Sequence, residues 1–127
     1  MKFLRLNDDI IQDIVYNFNY NTNVYRVKII CPNPMEAVIF IDLFKELTEV
    51  KPIKRNHVAS FIRDYASIDV QIVNEGDSFI GQRANLIICS DHYKLNYIHS
   101  TILPMLSSIP SYGFYYYDDY VLEGLKQ

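Results

Sequence analysis

The strongest restriction on the fold comes from a junction in the first third of the chain. Residues Val24–Cys31 alternate polar and apolar side chains at first and then become wholly apolar. That is the pattern of a strand entering a sheet covered on both faces. Immediately after it, Asn33 can accept hydrogen bonds as a helix N-cap, and Pro34 suits the first helical position because it brings no unpaired N–H. Glu36 stands where a capping box wants a carboxylate. The helix then continues through Glu49, with Ala37, Phe40, Ile41, Phe44 and Leu47 at helical spacing. Val38, Ile39 and Leu43 widen its apolar face, which predicts a well-buried helix. A buried strand delivered straight into a capped helix points to strands and helices in alternation.

The rest of the chain fits that alternation. A short strand is expected over Lys2–Leu6, and Asn7 or Asp8 then caps a helix through about Asn19 with Ile10, Ile11, Ile14, Val15 and Phe18 on one face. Asn17 to Asn23 reads as a turn. After Pro52, Asn56 is placed to cap a short helix, His57–Tyr65, whose inner side would be Val58, Phe61, Ile62 and Tyr65. Ile68, Val70 and Ile72 alternate with Asp69 and Gln71, the mark of a strand with one face to water. Asn74-Glu75-Gly76-Asp77 reads as a hairpin turn with Ser78–Ile80 as the returning strand. Ala84–Cys89 is a second buried strand. A helix around Tyr97–Ser107 is kinked by Pro104. Tyr112–Tyr117 is a last strand, and Asp119–Lys126 a closing helical turn or two.

Together these elements predict one α/β domain spanning residues 1–127: a three-layer sandwich with a mostly parallel sheet and an inserted β-hairpin. Right-handed crossovers would place helices on both faces.

Charge and composition narrow the function. The net charge of −3 argues against a general duplex-DNA binder, whose affinity would rest on clustered Lys and Arg. Lys51, Lys54, Arg55 and His57 are the one local basic cluster, and they read as a solvated loop. No stretch reaches the ~18 apolar residues of a membrane helix. The start, Met-Lys-Phe-Leu-Arg-Leu-Asn-Asp-Asp, turns acidic too soon for a signal peptide. Cys31 and Cys89 each close a hydrophobic run, where buried free thiols are common. The expected setting is reducing and cytoplasmic. Abundant Tyr, Ile and Asn without Trp fit the bias of an AT-rich genome such as that of a virus or phage.

Three motifs occur in an informative order: the junction Lys28–Ala37, the hairpin Ile68–Ile80 followed by Gly81-Gln82-Arg83-Ala84-Asn85, and the strand Leu86–Cys89 with Ser90 and Asp91 at its end. Over roughly residues 24 to 117 this order resembles the ATPase core of the large terminase subunit of tailed phages. The resemblance implies that Ala37 lies on the inner face of a helix and that Leu86–Cys89 is the Walker B strand. The departures matter as much. No glycine precedes Gly76 and no lysine lies between Leu6 and Val24, so a Walker A phosphate cradle cannot be built there. Ser90 falls at the position of the Mg²⁺-holding aspartate, for which serine is a poor substitute, and Asp91 falls at that of the general base. What the resemblance implies is therefore an inactive relative.

Other chemistries are less complete. Cys89, Asp91, His92 and His99 carry zinc-ligand atoms, but no Cys-x-x-Cys or His-x-x-x-His pair is present, so no metal or other cofactor is expected. A thiol ending a buried strand is inert as a nucleophile, and Ser90 lacks the Gly-x-Ser-x-Gly elbow.

The C-terminal segment carries Tyr112, Phe114, Tyr115, Tyr116, Tyr117 and Tyr120 beside Asp118 and Asp119. Tyr-rich surfaces bind proteins well, and the aspartates favour a protein over nucleic acid. The expectation is thus a non-enzymatic accessory protein of viral or phage type with a protein partner. Tyr112, Tyr115, Tyr116, Tyr117 and Tyr120 would be its contact surface, and an exposed tyrosine strand would also serve a homodimer. Arg83, Asp91 and His92 form the candidate ligand loop, because ligands of open α/β sheets gather beyond strand carboxyl ends. The competing expectation is a nucleotide-binding or nucleotide-hydrolysing domain that finds phosphate by a non-standard route through those three residues.

Overall fold

A computed structural model describes residues 3–79, 82–106 and 110–126. The described residues build a seven-stranded sheet from β1 (Leu4–Arg5), β2 (Tyr25–Cys31), β3 (Ile53–Arg55), β4 (Val58–Arg63), β5 (Ala66–Ile72), β6 (Leu86–Ser90) and β7 (Gly113–Tyr117). The strand order is β1-β7-β6-β2-β5-β4-β3. β1, β7, β6, β2 and β5 run parallel, while β4 and β3 are antiparallel additions at one end. This is an α/β sandwich with a mostly parallel sheet. No helix among the described residues is long and apolar enough to cross a membrane.

Helices α1 (Asp8–Tyr20) and α2 (Pro34–Thr48) start where their caps predict. The Asn7 side chain accepts from the Ile10 N–H at 2.9 Å, and that of Asn33 from the Glu36 N–H at 3.0 Å. With α4 (Asp119–Leu125) they cover the first face of the sheet. There Phe18, Phe40 and Phe44 pack on Val27, Ile29, Phe61 and Ile68 in the larger core. The second face carries a smaller core of Ile30, Ile87, Cys89 and Phe114. It is covered by α3 (Leu95–Tyr97), a π-helical turn over Ile98–Ile102 and a 3-10 turn over Leu103–Met105.

That broken helix is the form Pro104 takes. Its ring has no N–H to give and would strike the carbonyl one turn back, so the helix widens before it and tightens around it. The Ser100 hydroxyl donates to the Asn96 carbonyl at 2.7 Å. The expected end of this helix, Ser107, lies outside the described residues, as does Lys2, the expected start of the first strand.

Three expectations are corrected. The segment read as a helix over His57–Tyr65 is the strand β4, paired antiparallel to β3 and β5. The turn at Asn74–Asp77 forms, with the Asp77 N–H on the Asn74 carbonyl at 3.1 Å, but Ser78 and Phe79 are not a returning strand. Ile80 lies outside the described residues. The antiparallel insertion therefore sits one strand earlier than expected. Nor is the polar side of β5 simply open to water: Gln71 is buried, and Asp69 accepts from the buried Lys28 Nζ at 2.9 Å.

Candidate functional site

The parallel strands end along one edge of the sheet, at Cys31, Ile72, Ser90 and Tyr117. From β2 the chain departs over the first face through α2, and from the adjacent β6 it departs over the second face through α3. Connections leaving neighbouring strands to opposite faces open a crevice, which is where α/β sheets usually take ligands. Here the crevice is a shallow depression of about 330 Å³ between Pro32, Asn74, Glu75 and His92–Lys94. Its loops are laced together. Tyr93 Oη donates to the Val73 carbonyl at 2.7 Å, and the Lys94 N–H donates to Glu75 Oε1 at 2.7 Å.

The α2 N-terminus faces this edge, but its own side chains occupy it. Asn33 accepts from the Glu36 amide and its Nδ2 donates to Glu36 Oε2 at 2.8 Å. Pro34 contributes no N–H. The negative charge that a helix N-terminus attracts is already supplied by Glu36.

Beyond β6, Ser90 is fully buried and its hydroxyl accepts the His92 N–H at 3.1 Å, which gives it the task of holding the turn. His92 Nε2 lies 3.3 Å from Asp119 Oδ1 and 3.7 Å from Asp91 Oδ1. Burial raises the Asp91 carboxyl above its ordinary range, against the opposing pull of His92. Of the expected ligand loop, the structure thus brings Asp91 and His92 together. Arg83 is apart from them: it precedes β6, whose length of about 16 Å separates it from Asp91. It lines a depression on the second face with Asp77, Gln82, Ser100 and Thr101.

Cys31 and Cys89 lie on neighbouring strands, where Cys89 pairs in register with Ile30. Side chains alternate along a strand, so Cys31 points into the first core and Cys89 into the second. Among the described residues no group of three or more His, Cys, Asp or Glu side chains is placed to hold a metal ion.

The tyrosines are divided by the same alternation. β7 is not an edge, since β1 pairs outside it with Leu4 opposite Tyr115 and Arg5 opposite Tyr116. Tyr117 is 0% exposed and packs edge-on against Phe40, ring centroids 4.9 Å apart. Its hydroxyl lies beside the Cys31 thiol and the Glu36 carboxyl without a formed hydrogen bond, and Glu36 Oε1 is likewise unpartnered. Tyr115 is half-buried against the first core. Tyr112 leans on Tyr25 at 5.4 Å. Tyr116 and Tyr120 flank the Arg5 guanidinium, at 6.0 and 5.6 Å from their ring centroids, and Arg5 pairs with Asp118 at 2.8 Å. Tyr120 is 78% exposed.

The surface around α4 is the part that periodicity did not reveal. Two channels of about 520 Å³ each flank this helix. One, against α2, is floored by Met35, Val38, Ile39 and Leu122; the other, against α1, by Leu6, Ile11, Val121 and Leu125 with Tyr120 at its side. Met35 is 80% exposed. The rims carry Asp8, Glu36, Asp119 and Glu123, whereas Arg5 is paired with Asp118 and Lys126 with Glu123. The one available signal was Met35 itself, an apolar residue on the outer side of a helix whose inner face was already accounted for.

Compared with protein-family models, curated proteins and solved structures, the chain matches none of them.

Proposed function

We propose that this chain is a non-enzymatic binding protein that docks a protein partner over α4, using Tyr120, Met35 and the two apolar channels as its contact surface. The observation that carries the reading is the pairing of exposed large apolar side chains with an acidic rim whose two cations are already engaged. Such a surface complements a basic amphipathic segment, with the apolar side in the channels and the Lys or Arg side on the rim. In this reading the chain is a viral or phage accessory protein working in the host cytoplasm, on a degenerate terminase-like core. Ala37 lies on the buried side of α2, where the resemblance wants it.

The test is affinity purification of the tagged protein from its native host, run beside M35D and Y120A variants and a K54E control on the distant strand β3. A partner held by the wild type and K54E, and weakened at least tenfold by M35D and Y120A, supports the reading; recovery of a second copy of the chain through the same surface would make the partner itself. Equal recovery on all four proteins overturns it. Melting with Mg²⁺-ATP and other nucleotides should leave Tm unchanged. A rise of several degrees would favour a nucleotide-binding domain instead, because a ligand that binds only the folded state stabilises it.

A further inference from the structure

On the opposite face of the sheet from α4 there is a cavity of about 380 Å³ at the carboxyl ends of β6 and β7. We infer that it is a binding site for a small organic cation, an ammonium group carried on an aromatic or short aliphatic body.

Its volume lies within the range of small-molecule sites, and it opens where α/β sheets present ligands. The walls are aromatic. Phe3 and Phe114 pack with centroids 4.7 Å apart, and Tyr93 and Tyr116 complete the lining with Leu95 and Ile98. Aromatic faces carry negative quadrupole density and attract cations desolvated against them.

The polar lining points the same way. The hydroxyl of Ser90 is taken by the His92 amide, and the Cys89 thiol by the Ser90 carbonyl at 3.4 Å. The Tyr93 hydroxyl is taken by the Val73 carbonyl, and Asp91 is the charged side chain of the lining, a carboxylate. Asp118 and Asp119 lie close enough to act on it as further negative charge. The nearby basic groups are already engaged: Arg5 is held by Asp118 against Tyr116, the His99 ring packs on Phe3 at 5.6 Å, and His92 Nε2 is shared between Asp119 at 3.3 Å and Asp91 at 3.7 Å. An anion would meet repulsion from Asp91 and a neutral ligand would gain nothing from it, whereas an ammonium can share the carboxylate with His92 while lying on the aromatic walls.

The test uses the full chain, ¹⁵N-labelled, titrated with 2-phenylethylammonium, with 2-phenylethanol as neutral control and with phenylacetate as anionic control. Saturable shifts centred on Ser90, Asp91, Phe114 and Tyr116 are expected with the ammonium, at least tenfold tighter than with phenylacetate. D91N, a conservative change at a partly exposed position, should weaken the ammonium about tenfold and leave the alcohol unchanged. M35D should bind the ammonium like the wild type, which separates this site from the α4 surface. The inference is overturned by binding that ignores the charge of the ligand, by unaltered affinity in D91N, by shifts centred on the α4 channels, or by no saturable response.

Discussion

The Cys31 thiol, buried at the end of β2, is pushed by desolvation from its ordinary value of 9.0 up to about 12. Cys89, Tyr25, Tyr93 and Tyr117 are moved upward by the same cause. Each is neutral when protonated, so above the unfolded pKa the folded state holds more protons than the unfolded one. Their contribution is complete below pH ~8.5, where unfolded thiols begin to ionise, and is lost as pH rises through the folded values. The unfolding free energy from urea titrations should therefore be level from pH 6 to 8 and fall between pH 9 and 12, by about 1.4 kcal/mol per pH unit for each group engaged. A C31A/C89A variant should lose the part of this fall between pH 9 and 10. A wild-type value level to pH 11 would mean that these thiols reach water. Their burial was legible from their place at the ends of apolar runs. The fate of the tyrosines was not, because neighbouring residues of one strand face opposite ways. Tyr117 has no surface left to offer a partner, while Tyr120, three residues on and helical, is almost wholly free.

At the scale of elements, the junction after β2 behaves as its residues dictate. Asn33 and Glu36 satisfy each other at the start of α2, so N33A should cost about 1 kcal/mol, seen as a Tm lower by roughly 3–5 °C, while N33D should retain most of the stability. An N33A melt indistinguishable from wild type would show that the cap bond contributes nothing. The segment Val58–Tyr65 shows why the same reasoning failed a few residues later. Val58, Phe61, Ile62 and Tyr65 have helical spacing, but Ala59 and Phe61 also alternate, and a stretch this short satisfies both periods. The structure buries Ala59 and Phe61 and leaves Ile62 and Tyr65 exposed. Pairing with β5 decides the matter, and that pairing is a property of two segments together. Local clues were present in the turns. His57 and Asp64 both take positive φ, 57° and 50°, at the two reversals that bound β4. Asn-His and Asp-Tyr at such spacing are turn signals that compete with a helix cap.

For the molecule as a whole, the helical cover is uneven. The second layer spans β7, β6 and β2, while the same face of β5, β4 and β3 has no helix over it among the described residues, with Ile53, Arg55 and Ile62 exposed there. The sheet ends on β3, an exposed strand reading Ile53-Lys54-Arg55. Charged side chains on an edge strand discourage pairing with another sheet. K54V/R55V should therefore form larger species with rising concentration in size-exclusion chromatography or light scattering. Elution unchanged up to about 100 μM would show that these charges do not guard the edge.

The amino-acid order determined what short-range chemistry can determine: the α/β class, the caps of α1 and α2, and the buried cores of β2 and β6. Each rests on a run of apolar residues or on groups within one helical turn of each other. Tertiary structure alone decided which strands are neighbours, that β4 is a strand, that β1 covers β7, and that the thiols face apart. It also decided that Phe3, Asp91 and Tyr116 meet at one cavity while Arg83 stands away. These outcomes depend on register and side-chain facing between segments far apart in the chain, where displacing a strand by one residue turns every side chain to the other face.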